Sequence, residues 1–280
     1  MTDRRRKRHA MGWILVFLSG CVLAFLFFIL FFRFGLFNGT VLTEAFEESG
    51  YYKAEEAAME ERFSECLEEA ELPEGILRFA DYRDAFQRSL RNQVYGRGGT
   101  VPELTALSIA EELTAKLNSM GLEKRSLPAE EGILLLSGRL EAGFLETGTV
   151  TGAAEWYEAE GCLEPLELWA IGFLILLFFG QSLLWMLQRR KKRYARLLAF
   201  SLIWGSALYG LLLGFLFWAL PAITEGSGIA VGSEAVTALY REKTLKIGLA
   251  IGGSGVLGAV LSGAAGVFLP GEQGTAGFGE

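Results

Sequence analysis

The residues best suited to chemistry lie in one acidic stretch. Glu55/Glu56, Glu60/Glu61 and Glu68/Glu69 are adjacent carboxylate pairs, and Cys66 stands among them. Two carboxylates work as acid and base when an apolar pocket raises the pKa of one. Adjacent helix positions do not face each other, so these pairs make no such couple. Glu61, Glu65 and Glu68 share a helix face and could hold a cation weakly, but a solvated acidic surface is the plainer reading. The single histidine, His9, lies in a basic N-terminal tail. That excludes Ser–His and Cys–His catalysis, and any His-based zinc site, in the acidic stretch. No phosphate loop or dinucleotide fingerprint stands at a strand–helix junction. The expectation is a non-enzymatic protein with no catalytic, cofactor-binding or metal residues.

Cys66 and Cys162 both fall in the acidic segment. In an oxidising compartment a Cys66–Cys162 disulfide is permitted. Cys66 also shares an apolar stripe with Met59, Phe63 and Ala70, where a buried free thiol would serve. Cys21 lies in an apolar run. Leu18-Ser19-Gly20-Cys21 matches the pattern acylated in bacterial lipoproteins, but Val22–Phe28 continues apolar where a mature lipoprotein turns polar. The run reads as an uncleaved anchor. Asn38-Gly39-Thr40 fits the N-glycosylation pattern but sits close to that anchor.

Four apolar runs must carry these groups: Met11–Phe32, Leu166–Leu187, Leu197–Leu220 and Ile247–Leu269. Each approaches the ~20 residues that a helix needs to cross a ~30 Å hydrocarbon core. The formal charge of −7 hides two opposite regions. Between Asn38 and Pro165 stand 26 acidic and 11 basic residues. The basic clusters are Arg4–Arg8 and Arg189–Arg193 with Arg196. Short basic loops stay in the cytoplasm, and two clusters separated by two spans agree on one orientation. Their position flush against apolar helices favours anionic lipid headgroups over nucleic acid as their partner.

The chain then divides into a basic cytoplasmic tail (1–10), span one (11–37), an acidic extracytoplasmic helical domain (38–165) and span two (166–187). A basic loop (188–196), span three (197–220), a short outer loop (221–246), span four (247–269) and a C-terminal tail (270–280) follow. The fold class is all-α: a four-helix transmembrane bundle in the cell membrane, with a mainly helical domain inserted between spans one and two. Span four carries Arg241, Lys243 and Lys246 on its outer flank, against the positive-inside rule, so a re-entrant or surface-lying segment stays open there.

Periodicity divides the acidic segment into helices. Tyr51–Glu71 buries Tyr52, Met59, Phe63, Cys66 and Ala70 and ends at Pro73. Asp81 could cap a second helix with Tyr82, Phe86, Leu90 and Val94 on one face. Thr100 with Glu103 resembles a capping box, and the third helix runs to Met120-Gly121 along Ile109, Leu113 and Leu117. A last helix starts near Pro128. Its Gly-rich middle, Gly132–Gly152, leaves a strand pair or a broken helix open.

No Asp, Glu, Lys, Arg or His falls inside a span core, Arg33 standing at the outer edge of span one, which argues against a transporter or pump. Small residues recur every fourth position in Ser206, Gly210 and Gly214, and in Ser254, Gly258, Ser262 and Gly266, with Gly248 and Gly252 nearby. Such rows let helices approach closely. Spans three and four are expected to pack through them, or to pair between copies of the chain.

Glu48-Ser49-Gly50-Tyr51-Tyr52, Leu72-Pro73-Glu74-Gly75-Ile76-Leu77 and Asp81–Tyr95 resemble a group of uncharacterised four-span membrane proteins of Gram-positive bacteria. The resemblance implies the four-span topology and a cell-envelope setting, and supplies no catalytic residues. The outer domain is expected to act as an interaction or sensing module with a protein partner. The alternative is a permease-type subunit. The lipoprotein-release and division ABC permeases likewise place a large outer domain between spans one and two, but the basic loop here is too short for a coupling element.

Overall fold

The computed structural model of the protein describes residues 2–70, 76–97, 101–119, 130–188, 191–227 and 231–268. Every regular element among them is helical. In chain order these are α1 (Thr2–Phe31), α2 (Gly39–Glu48), α3 (Tyr51–Glu69), α4 (Phe79–Val94), α5 (Ala106–Ser119), α6 (Glu130–Thr147), α7 (Ala153–Gly161), α8 (Glu164–Gln188), α9 (Lys191–Ser227) and α10 (Glu234–Phe268). A π turn, Phe32–Leu36, extends α1, and a 3-10 turn, Pro102–Leu104, precedes α5. Glu71, Pro73, Thr100, Met120, Gly121, Pro128, Arg189, Arg190, Leu269 and the tail 270–280 lie outside the described residues.

The chain forms two compact units. One, the bundle, holds Met1–Asn38, Ala159–Gly226 and Glu242–Glu280. The other, the acidic unit, holds Gly39–Glu158 and Ser227–Arg241. Among the described residues four helical stretches are long and apolar enough to cross a membrane: His9–Leu36, Pro165–Gln188, Lys191–Ala219 and Glu234–Phe268.

Within the bundle, helix directions alternate. Trp13 meets Phe200, Phe17 meets Trp204, Phe27 meets Tyr209 and Phe31 meets Phe217, so α1 and α9 run parallel. Val16 packs with Leu184 and Phe25 stacks on Phe173, so α8 runs antiparallel to α1. Gly248, Gly252 and Gly266 of α10 lie against Leu213, Tyr209 and Ala195, so α10 runs antiparallel to α9. The Tyr209 hydroxyl donates to the Gly248 carbonyl at 3.0 Å and satisfies one buried polar group inside the seam. Tyr194 of α9 likewise donates to Gln181 of α8 at 3.5 Å.

The small-residue rows are used differently from their expected pairing. Gly248 and Gly252 of α10 do face α9, and Gly258 and Gly266 touch Leu202 and Ala195. Gly255, absent from the expected row, is buried against Ser206 and Phe27, while Ser254 is exposed and Ser262 half-buried. On α9 the contacting residues are Leu213, Tyr209, Ser206, Leu202, Ala199 and Ala195. Gly210 and Gly214 have no atom within 4 Å of a Cβ built on them. A strict four-residue spacing explains the difference. It drifts about 40° per step around a helix of 3.6 residues per turn, so it leaves any one face within a few steps. Gly205, also unexpected, crosses α1 at Gly20: a Cβ on Gly205 would lie 2.9 Å from the Gly20 carbonyl oxygen.

The acidic unit folds around aromatic rings from three helices. Phe144 of α6 stands 5.9 Å from Tyr82, 5.9 Å from Phe86 and 6.1 Å from Phe63 between ring centroids. Met59 and Phe86 are fully buried beside them. Gly143 lets α3 and α6 approach, with Met59 and Arg62 against it. The Gly-rich region is therefore neither a strand pair nor irregular before Thr147. It is one helix, broken only between α6 and α7. There Gln93 ties the corner, donating to the Gly148 carbonyl and accepting from the Val150 amide at 2.9 Å.

Two pieces of this unit carry weak sequence signals. Helix α2 buries Val41, Leu42, Ala45 and Phe46, and Gly50 at φ 73° turns the chain from α2 into α3. The segment Ser227–Arg241, read from sequence within a loop, is part of the acidic unit. Val231, Val236 and Tyr240 are buried in it. The Gly232 amide donates to the Thr151 carbonyl at 2.9 Å, and Trp156 Nε1 donates to the Tyr240 hydroxyl at 3.0 Å. Gly232 has φ 69° and lies against the Phe46 ring, so both its backbone and its space call for glycine.

Helix starts also shift. Asp81 lies inside the first turn of α4, where its charge suits the positive end of the helix and accepts from Lys116 at 3.1 Å. Thr105 caps α5: its hydroxyl accepts from the Ser108 amide at 3.4 Å, while Thr100 lies outside the described residues. Glu103 instead pairs with Arg88 at 2.8 Å. Thr105→Ala is expected to cost about 1 kcal/mol, seen as faster amide exchange over Ala106–Ala110.

Candidate functional site

The acidic unit contains a cavity of about 220 Å³ between α3, α5 and α6. Its walls are Ala70, Leu113, Ile133 and Leu136, with Cys66, Glu69 and Arg139 as the polar groups. Leu113 is fully buried, which anchors the floor. Leu135, on the rim, is 59% exposed, and its neighbour Leu134 is 56% exposed. Arg139 donates to Glu69 at 3.1 Å, so the two charges in the walls pair with each other. The notch is sized for one apolar side chain rather than for a cofactor, since cofactor sites run to about 300–1,000 Å³.

Its thiol is in the wrong form for attack. Burial raises the Cys66 pKa, Glu69 adds to the rise, and Arg62 and Arg139 only partly oppose it. The thiolate is the nucleophile, so a raised pKa keeps Cys66 inert at neutral pH. Cys21, Cys66 and Cys162 are all free thiols, and the permitted Cys66–Cys162 bridge is not formed. Cys66 is half-buried on its apolar stripe, and Cys162 is exposed just beyond α7.

The carboxylates are distributed into ties between helices. Glu56 pairs with Arg83 off the axis of its Nε–H bond and accepts from Gln87 at 2.8 Å, joining α3 to α4. Arg62 binds Glu146, joining α3 to α6. Glu112 accepts from Tyr82 at 2.7 Å and pairs with Lys116, joining α4 to α5. Burial would lower the Lys116 pKa, but its bonds to Glu112 and Asp81 outweigh that and raise it. Exposed pairs of this kind contribute about 0–1 kcal/mol each, so they set register more than stability. Among the described residues no three His, Cys, Asp or Glu gather as a metal cage, and Glu61, Glu65 and Glu68 do not make one.

Buried phenols carry the clearest electrostatic perturbation. Burial pushes Tyr52 up to about 12, although the Arg91 guanidinium 5.7 Å from its ring pulls the other way. Tyr51 and Tyr82 are raised by burial too, and then by their contacts with Glu55 and Glu112. The folded unit therefore prefers the neutral phenol. Its contribution is complete below pH 10, the ordinary tyrosine value. It is lost as pH rises toward 12, because the unfolded chain ionises first. Circular dichroism and phenolate absorbance are expected to change together above pH 10. Free titration of all tyrosines near 10, with the helices intact, would contradict it.

Comparison with known proteins adds no function to this geometry. No family model, curated protein or solved structure matches the chain.

Proposed function

We propose that the protein is a non-enzymatic multi-pass protein of the cell membrane whose acidic unit faces the extracytoplasmic side and binds a partner protein. The observation that carries this reading is the notch on α3, α5 and α6. It offers exposed leucines beside a small apolar cavity, while its polar groups are paired or held neutral. Such a surface suits recognition of an apolar side chain on an envelope protein. The likeness to Gram-positive four-span proteins supports the same setting.

The orientation follows from the bundle. Alternating helix directions put the starts of α1 and α9 and the end of α8 together, and those segments carry the basic residues. By the positive-inside rule that end is cytoplasmic. Only residues 189 and 190 separate α8 from α9, a connection too short to hold a coupling element, which disfavours the permease reading.

The test places a photo-crosslinking residue at Leu135 in intact cells, with Lys53 as a control position in the same unit. In parallel, a membrane-impermeant maleimide is applied to exposed Cys162. One discrete crosslinked envelope protein from Leu135, none from Lys53, and labelled Cys162 are expected. Labelling of Cys162 only after lysis would refute the orientation. A hydrolytic activity abolished by a single Glu→Gln change in the acidic unit would refute the non-enzymatic reading.

A further inference from the structure

We propose that the seam between α1 and α9 binds one anionic phospholipid, its phosphodiester held by His9 and Arg193 and an acyl chain lying along the aromatic residues beyond them. The proposal rests on reading the bundle as membrane-spanning. It deepens the expectation that the basic clusters meet anionic headgroups, by placing one lipid at one seam.

The headgroup end is built from two distant pieces of chain. Arg193 Nη2 lies 2.6 Å from His9 Nε2, across 184 residues of sequence. The same Nη2 also touches His9 Nδ1, but arginine carries five N–H donors and no acceptor, so contact through Nη2 alone leaves its Nε and Nη1 donors unused. Its fork geometry matches a phosphate. Among the described residues no carboxylate pairs with Arg193 or His9, and from Leu168 to Thr224 the chain has no acidic residue. Lys191 and Arg196, both exposed, add positive charge beside Arg193. An arginine with donors to spare, beside further positive charge, is well satisfied by an external anion.

The aromatic residues decide which anion. Trp13 and Phe200 stand 5.4 Å apart between centroids, and Phe17 and Trp204 also 5.4 Å. All four rings remain between 41% and 53% exposed although they pair across the seam. His9, Trp13 and Phe17 are four residues apart, so they line one face of α1 over about 12 Å. A guanidinium followed by an exposed apolar ladder fits a phosphate joined to a hydrocarbon chain. Free phosphate would leave the ladder unused.

The full chain is reconstituted in phosphatidylcholine nanodiscs that contain a minor fraction of brominated phosphatidylglycerol, and tryptophan quenching is read. Brominated phosphatidylcholine at the same fraction gives the random-contact baseline. Quenching by the anionic lipid is expected to exceed that baseline. His9→Gln or Arg193→Gln should weaken the preference, by about fivefold for a lost arginine charge. Trp13→Ala should weaken it without changing the charge, and Arg97→Gln in the acidic unit should leave it intact. Equal quenching by both lipids overturns the proposal. So does tight binding of inorganic phosphate, by calorimetry in phosphatidylcholine discs, without preference for the anionic lipid. Failure of the membrane reading is seen separately, as release of the protein from native membranes by alkaline carbonate.

Discussion

Phe144→Ala destabilises the acidic unit by about 3–5 kcal/mol and leaves the stability of the bundle unchanged. Phe144 is 4% exposed and is the ring on which three helices converge, within 6.1 Å of Phe63 on α3 and 5.9 Å of Tyr82 and Phe86 on α4. Truncation removes the ring's transfer energy and leaves a cavity whose walls are themselves rigid aromatics. Such sites collapse poorly, and Phe→Ala in a core costs about 3–5 kcal/mol. Domain stabilities are about 5–15 kcal/mol, so the loss is a large share of the whole. The ion pairs around this core cannot compensate, at about 0–1 kcal/mol each. The measurement is hydrogen exchange on the full chain in detergent. Amides of α3, α4 and α6 should lose protection while those of α1 and α9 keep theirs. Unchanged protection in α4 would show that the core does not depend on this ring.

The same core shows what was legible in the sequence. Met59 and Phe63, and Tyr82, Phe86, Leu90 and Val94, stand at helical spacings among charged residues, so α3 and α4 announce their buried faces. The membrane-length helices are legible for a simpler reason, since an unbroken apolar run of that length needs no partner to be recognised. Phe144 was harder, because Gly138 and Gly143 weaken a helix and hide the pattern around it. Their value appears only in three dimensions, where Gly143 makes room for Met59 and Arg62. Helix α2 follows span one so closely that its apolar residues merge with the anchor. In Ser227–Arg241 the buried residues are sparse: only Val236 and Tyr240 stand at a helical spacing, too few to announce a buried face. Their partners Thr151 and Trp156 lie some eighty residues earlier, so the docking is a tertiary event without a local signature. The candidate site was half legible. Cys66 and its stripe were visible, but the leucines of α6 that form the rim acquire meaning only once α3 and α5 are placed behind them.

Gly205→Leu and Gly255→Leu each destabilise the bundle by about 3 kcal/mol, while Gly210→Leu and Gly214→Leu are tolerated. All four are glycines of apolar helices, so composition and propensity do not separate them. The seam does. A Cβ on Gly205 would stand 2.9 Å from the Gly20 carbonyl oxygen, a backbone atom that cannot rotate away. A Cβ on Gly255 would stand 2.6 Å from Phe27, with Ser206 closer still. Relieving either clash means parting α9 from α1, or α10 from both. Apolar lipid tails give these helices no hydrophobic drive to reassociate, so close packing is the main force that is lost. Parting α9 from α10 would also break the 3.0 Å bond from Tyr209 to Gly248, leaving a hydroxyl without a partner in an apolar seam. At Gly210 and Gly214 nothing lies within 4 Å, and a leucine there would extend into the surroundings and gain helix propensity over glycine. Thermal unfolding in a mild detergent, followed by tryptophan fluorescence, separates the two classes. Equal losses at Gly210 and Gly205 would mean that α9 packs through its glycine row after all, in a second copy of the chain. Losses at Gly205 and Gly255 alone place the seam on Ser206, Tyr209 and Leu213.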